Sequence, residues 1–140
     1  MNEREANSNR AGLLEKARLV AQNAYAPYSK FRVGVAVLTD RSIYLGATVE
    51  NASFGLTICA EMVALSAAVV AGDRTVRAIA IACIDAVEGA PPSERLLCGV
   101  CRQWISELAP DVSIYIAGVD RVFTIGELLP NAFRLEPEAN

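Results

Sequence analysis

Residues 57–71 read TICAEMVALSAAVVA. The stretch is apolar or small nearly throughout, and its alanines and leucine favour helix. Gly72 follows as a C-terminal cap. Fifteen residues are too few to span a membrane, and Glu61 interrupts them, so the segment predicts a helix buried in a protein interior. On its N-terminal side, Ile43 to Val49 and Phe31 to Leu38 read as two strands joined by a turn at Thr39-Asp40-Arg41-Ser42, a β-hairpin. Before them, Leu13, Leu14, Ala17, Val20 and Ala21 recur at helical spacing, predicting a helix from Arg10 to Ala24 capped by Asn9 and ended by the YAPYS cluster with Pro27. Residues 1–9 then form a flexible arm.

On the C-terminal side, Val76 to Ile84 reads as a buried strand and Asp85 to Arg95, with Pro91-Pro92, as a loop. Gly99 to Leu108 is a helix, Ser113 to Ala117 and Val122 to Thr124 are short strands, and Glu127 to Leu129 is a short helix before a polar tail at 134–140. This order predicts an α/β fold: a mixed sheet with helices on both faces. Residues 1–140 form a single domain, and 53% hydrophobic residues suffice for one sizeable core.

Thirteen Lys and Arg against sixteen Asp and Glu give a net charge of −3, with no basic run. That balance argues against a nucleic-acid backbone or an anionic membrane as partner and favours a small molecule or a protein. The N-terminal MNEREANSNR lacks the apolar core of a signal peptide, so a cytoplasmic location is expected. The four cysteines are then thiols or metal ligands. No histidine occurs at all. Histidine-dependent triads, HExxH zinc sites and a histidine general base are excluded, which leaves acid and base work to Asp, Glu, Tyr, Lys or Cys.

Two helix starts carry chemistry. Glu61 is the only charged residue in 57–71. A carboxylate in an apolar helix is costly unless paired, ligated or protonated. Either it complements the helix dipole from an exposed first turn, or its pKa is shifted for proton transfer. At the second start, Cys98-Gly99-Val100-Cys101 lets two thiolates converge on one ion at the positive end of a helix. A zinc site, a redox dithiol and incidental cysteines all fit that pair alone. Cys83, in the apolar strand AIAIAC, reads as a small buried hydrophobe. Cys59, Cys98 and Cys101 remain, three ligands and an open position, the count expected of a catalytic zinc. Cys59 and Glu61 are about 200° apart on an ideal helix, so periodicity alone does not bring them together.

Cys59-Ala60-Glu61 followed by CGVCRQ at 98–103 resembles the cytidine deaminases, which use a Cys₃ or His/Cys/Cys zinc and an unligated Glu. AYAPYSKFRVGVAVLT at 24–39, VENASFGLTICAE at 49–61 and GELLPNAF at 126–133 extend the resemblance over most of the chain, to the small homotetrameric branch. The resemblance implies a three-layer α/β/α sandwich with a mixed five-stranded sheet. It also implies Zn²⁺ on Cys59, Cys98 and Cys101, with Glu61 moving protons from water to N3 of the pyrimidine and helping ammonia leave C4. By the same resemblance the backbone of Ala60 meets the base edge, Phe31 packs on the base, and Glu50 accepts from a sugar hydroxyl. Phe133 reaches a neighbouring subunit's base, so active sites are shared.

Three positions depart from the family pattern. Thr48 stands where a sugar-binding Asn is usual, Met62 where an Arg normally donates to the zinc thiolates, and Leu97 where Pro is common. Arg102 is the candidate substitute donor. The first two departures resemble deaminases of modified cytosine nucleosides such as blasticidin S, while Glu50-Asn51-Ala52-Ser53 is similar to the ordinary enzymes. The expected function is therefore hydrolytic deamination of cytidine and 2′-deoxycytidine in pyrimidine salvage. A blasticidin S-type deaminase is the alternative, and a C-G-x-C redox protein or a silent zinc protein stands further off.

Overall fold

The sequence of one strand sets the layers. In Val76–Cys83 (β3), VRAIAIAC, the alanines at 78, 80 and 82 point to one side and Ile79, Ile81 and Cys83 to the other, the two-residue period of a strand. The computed structural model describes residues 3–137 and puts β3 in the middle of a five-stranded sheet. Val33–Thr39 (β1) pairs antiparallel both with β3 and with Ile43–Ala47 (β2). Ser113–Ile116 (β4) runs parallel to β3 and holds Val119–Thr124 (β5) antiparallel at the far edge. The strand order is β2-β1-β3-β4-β5, a mixed sheet as expected.

Each face takes a helix layer that fits its side chains. The helix Glu3–Ala21 (α1) lies on the small face, where Leu13 and Ala17 meet Ala36, Ala78, Ala80 and Ala82. Ala60–Val70 (α2) and Gly99–Leu108 (α3) cover the large face, with Val35, Val37, Ile79, Ile81, Ile114 and Ile116 beneath them. α3 lies in the crossover connection that the parallel pair β3 and β4 requires. The short helix Ile125–Leu128 (α4) follows β5 and contacts α3.

α1 approaches so closely that a Cβ on Gly34 would run into the Ala17 carbonyl and the Ala21 backbone. Gly34→Ala is therefore expected to lower stability by about 1–3 kcal/mol, the usual cost of overpacking a tight contact. Denaturant titration would show it as a lower midpoint with an unchanged slope. A midpoint equal to wild type would mean that α1 can move away freely.

α2 stops where Gly72 predicts. Gly72 has a φ of +80°, its N–H donates to Val69 O, and Asp73 N–H donates to Ala68 O, a Schellman closure. The buried Asp73 carboxylate then accepts from Thr39 Oγ1 at 2.5 Å and Tyr44 OH at 3.2 Å, fixing the hairpin turn to the end of α2.

Several boundaries differ from expectation. α1 begins at Glu3 and not at Arg10, so Asn9 lies inside it and does not cap it, and residues 3–9 of the expected arm are helical. Glu3, Arg4 and Ala6 are good helix formers, which offsets the asparagines and serine that suggested a loose arm. The helix ends at Ala21, three residues short of Ala24. β5 starts at Val119, because Ala117-Gly118, with Gly118 at a φ of +85°, makes a tight hairpin. In the expected tail, 134–137 form neither helix nor strand, and 138–140, like 1–2, lie outside the described residues. No helix among the described residues is long and apolar enough to cross a membrane.

Candidate active site

Two helices begin with a cysteine whose sulfur is not used for capping. Cys59 is the N-cap of α2 (φ −71°, ψ 150°) and Cys98 the N-cap of α3 (φ −70°, ψ 167°), and neither side chain bonds its own helix. Extended backbone at a cap lets the side chain leave the helical wheel. The 200° that separates Cys59 from Glu61 on an ideal helix therefore does not apply, and both line one cavity. Cys101 comes from the first turn of α3 and is buried. The sulfurs of Cys59, Cys98 and Cys101 lie within 4.8 Å of one another, with Cys98 and Cys101 3.6 Å apart. Tetrahedral zinc with Zn–S bonds of about 2.3 Å needs sulfurs about 3.8 Å apart, so this soft donor set fits zinc.

Glu61 is 5% exposed and takes a hydrogen bond from Cys101 Sγ to Oε2 at 3.2 Å. Burial raises its pKa above the ordinary carboxylate range, which answers the choice left open by the sequence: the side chain is not in an exposed turn. Among the sulfurs, the hydrogen bond from Cys101 lowers the Cys59 pKa to about 7, and the same bond raises that of Cys101. Cys83 stands outside the sulfur cluster, and burial lifts its pKa to about 11, as suits a buried hydrophobe.

The cavity measures about 270 Å³, near the lower end of the ~300–1,000 Å³ of small-molecule sites. Its wall includes Phe31, Thr48, Glu50, Cys59, Glu61, Cys98 and Cys101. Val49 is stitched to Ile58 by a pair of backbone hydrogen bonds, and Glu50 N–H donates to Tyr25 O, so the Glu50 segment lies against the approach to Cys59. Glu50 Oε1 accepts from the backbone N–H of Tyr28 and of Ser29, at 3.0 and 3.2 Å. Hydrogen bonding from Ser29 lowers the Glu50 pKa, so it stays an ionised acceptor. Thr48 Oγ1 lies 3.5 Å from Val33 O. Ala60, buried at the first position of α2, is among the N–H groups without an intrahelical acceptor.

Phe133 is not part of this wall. It is 68% exposed, and its carbonyl accepts from Gln103 Nε2 at 3.0 Å. Arg102 is not the substitute donor to the sulfurs either. Its guanidinium donates to Leu97 O at 2.9 Å and Leu128 O at 2.8 Å. A larger groove of about 450 Å³ between α2 and α3, around Val70 and Trp104, contains one carboxylate, Glu107, and no thiol.

A family profile described as the cytidine and deoxycytidylate deaminase zinc-binding region matches residues 7–117. The cytidine deaminase of Halalkalibacterium halodurans is 43% identical over 133 residues, covering 91% of this chain and 96% of that protein. The chain belongs to the cytidine deaminase family. Its fold is also that of the family: the crystal structure of cytidine deaminase from Burkholderia pseudomallei aligns with a TM-score of 0.78 at 41% identity, covering 88% of this chain and 98% of that one. Cytidine deaminase from Mycobacterium tuberculosis aligns at 0.75 and 33%, covering 89% and 97%.

For this member of the cytidine deaminase family, the structure adds wall residues that the sequence did not single out. Val33, Ile81 and Cys83 form an apolar side of the cavity, and Ser29, Glu94 and Arg95 also line it. The β3 alternation signals Ile81 and Cys83, which share the face that carries α2 and α3. Beside Phe31, Arg32 clamps Asp85 through its backbone N–H and two guanidinium bonds, all between 2.8 and 2.9 Å. The Arg32 guanidinium holds the Asp85 carboxyl down at about 2.

Proposed function

We propose that the chain hydrolyses the exocyclic C4–N bond of cytidine and 2′-deoxycytidine, releasing ammonia and the corresponding uracil nucleoside. The observation that carries this reading is a three-sulfur cluster at two helix starts, with buried Glu61 bonded to it inside a cavity of about 270 Å³. Cys59, Cys98 and Cys101 would hold zinc, which when bound supplies Lewis acidity that lowers the pKa of water. Glu61 carries the protons. Its carboxylate takes one from the attacking water and gives it to N3, making C4 more electrophilic, and then passes the second to the departing amino group. The water oxygen ends on C4 and its two protons end on N3 and on ammonia. A group that must both accept and donate works best with a pKa close to the operating pH, the direction in which burial moves Glu61.

Around that centre, the Ala60 N–H binds the base edge, Phe31 packs on the ring, and Glu50, its Oε1 held by the Tyr28 and Ser29 backbone, accepts from a sugar hydroxyl. Thr48 lies beside the sugar with a shorter reach than an amide. Phe133 completes a neighbouring protomer's site in a homotetramer. Support for assembly comes from exposed apolar surface near the cavity: Phe54 and Leu56 are 73% and 65% exposed, and Phe54 meets the Tyr28 ring edge-on. The free state of all four cysteines suits a cytoplasmic enzyme of pyrimidine salvage.

The test is ammonia release from cytidine, 2′-deoxycytidine, cytosine, cytidine monophosphate and blasticidin S. The two unmodified nucleosides are expected to react. The names of the relatives favour them over blasticidin S. If both stay intact while another compound reacts, the proposal is wrong and Thr48 becomes the first residue to change.

A further inference from the structure

Arg102 and Gln103 follow Cys101 directly, and both side chains leave α3 to bind main-chain carbonyls elsewhere. Arg102 Nε donates to Leu97 O at 2.9 Å, the residue just before Cys98. Its NH1 donates to Leu128 O at 2.8 Å, at the end of α4, where carbonyls lack intrahelical donors. Gln103 Nε2 donates to Phe133 O at 3.0 Å. The two residues thus join three things: the backbone that aims Cys98, the helix that carries Cys101, and the chain from Leu128 to Phe133. Arg102 has no carboxylate partner among the described residues, so those two carbonyls are the contacts that orient it.

We propose that Arg102 is a positioning residue for the Cys98 loop, and that through Arg102 and Gln103 metal binding at the sulfurs and docking of residues 128–133 are one coupled equilibrium. The proposal rests on the assignment of Cys59, Cys98 and Cys101 as zinc ligands. Its physical basis is geometric. A planar guanidinium with a fixed fork holds two carbonyls at a set distance, whereas an ammonium is a point donor on a flexible stem. When the sulfurs close on an ion, the Leu97–Cys98 backbone is fixed, the Arg102 fork is fixed with it, and the Leu128 carbonyl gains an immobile partner. Coupling of this kind is reciprocal: whatever metal does to the segment, the segment does to metal affinity.

The experiment measures zinc affinity by competition with a chromogenic chelator, and amide hydrogen exchange of residues 128–133 with and without zinc. In the wild type, zinc is expected to slow exchange in that segment. Arg102→Gln is expected to weaken zinc by about 10- to 100-fold, the usual loss when an outer partner of a ligand is removed, and to abolish the zinc-dependent protection. Arg102→Lys, which keeps the charge but not the fork, is expected to fall between the two. Gln103→Ala is expected to remove the protection at 131–133 while changing zinc affinity less than Arg102→Gln does. A merely structural Arg102 would lower the unfolding midpoint of the metal-free variant without removing the zinc-dependent change in exchange. If Arg102→Gln does not fold, Arg102→Lys and Gln103→Ala carry the same readout. Wild-type zinc affinity in Arg102→Lys together with full protection in Gln103→Ala would overturn the proposal. A wild type that binds no zinc would instead overturn the ligand assignment on which it rests.

Discussion

A Glu61→Gln variant is expected to keep its fold and one zinc per chain while its deamination rate falls by about 10²–10⁴-fold, the share that a positioned acid and base contributes. Gln occupies the same space and its carbonyl can still accept from Cys101, so the sulfur cluster is undisturbed. What disappears is the ability to accept a proton and return it. A variant with more than a tenth of the wild-type rate would remove Glu61 from the proton path. A protein inactive before the change would instead be the silent relative. Stability supplies a second readout whose sign follows from burial. The folded-state pKa of Glu61 is raised, so in the metal-free protein its contribution is fully present below the unfolded value and is lost as pH rises through the folded one. Gln does not ionise, so metal-free Glu61→Gln should hold its unfolding midpoint over that window while the wild type loses some. Measured rates would fall in the opposite direction, towards acid, as the carboxylate that must accept the first proton becomes occupied.

The sequence was read correctly where one pattern dominated. The buried strand Val76 to Ile84 and the helix read at 57–71 with its Gly72 stop match β3 and α2 in kind, although α2 starts only at Ala60, because burial on both faces and a Schellman closure leave direct marks on residue type. The helix Gly99–Leu108 has the bounds that the sequence predicts, with Cys98 as its N-cap. The start of α1 was misplaced because asparagine and serine are weak helix formers in any context, and their local preference hid the propensity of the residues around them. Meeting of the three sulfurs followed from the motif, but the partnership of Cys59 with Glu61 did not follow from periodicity, since a cap residue obeys strand-like dihedrals. Long-range side-chain bonds left no local signal at all. Arg32 with Asp85 and Arg102 with Leu128 depend on the sheet register and on loop closure, so no spacing in the chain announces them.

Met62 leaves an electrostatic question that the helices answer in part. Three thiolates and one Zn²⁺ sum to a charge of −1, and Glu61 adds another when ionised. The positive end of a helix amounts to about half an elementary charge. Cys59 and Cys98 cap α2 and α3, so two such ends stand at the cluster, enough to offset about one unit. Met62 is half-buried and packs against the core, where an arginine would have had to bring its charge out of water. In the proposed mechanism the remaining excess would be carried by keeping Glu61 protonated for part of the cycle, the direction in which burial moves it.

Each of Cys59→Ala, Cys98→Ala and Cys101→Ala is expected to abolish stoichiometric zinc and with it detectable deamination, whereas Cys83→Ala should retain one zinc per chain. Zinc held by four ligands is worth about 10–16 kcal/mol in small domains, so one ligand accounts for roughly 2.5–4 kcal/mol, or about 10²–10³ in affinity. Cys83 differs in position. It lies outside the cluster, so its sulfur is not placed to share an ion with the other three. Its loss should cost only the packing of a small buried group. Cys59 separates the zinc reading from a redox dithiol, because a Cys98–Cys101 disulfide would form without it while a three-sulfur metal site would not. Proton competition gives the pH dependence. Cys59, lowered to about 7, is about half thiolate near neutral pH, but Cys101 holds its proton and must release it to bind metal. Each such proton costs a factor of ten in affinity per unit of falling pH. Zinc measured with a chromogenic indicator should thus leave Cys83→Ala, like the wild type, progressively on acidification, while Cys59→Ala holds no stoichiometric zinc to release. If those two variants exchanged places, the cluster would have to be redrawn around Cys83, and the open position that makes room for water would no longer face Glu61.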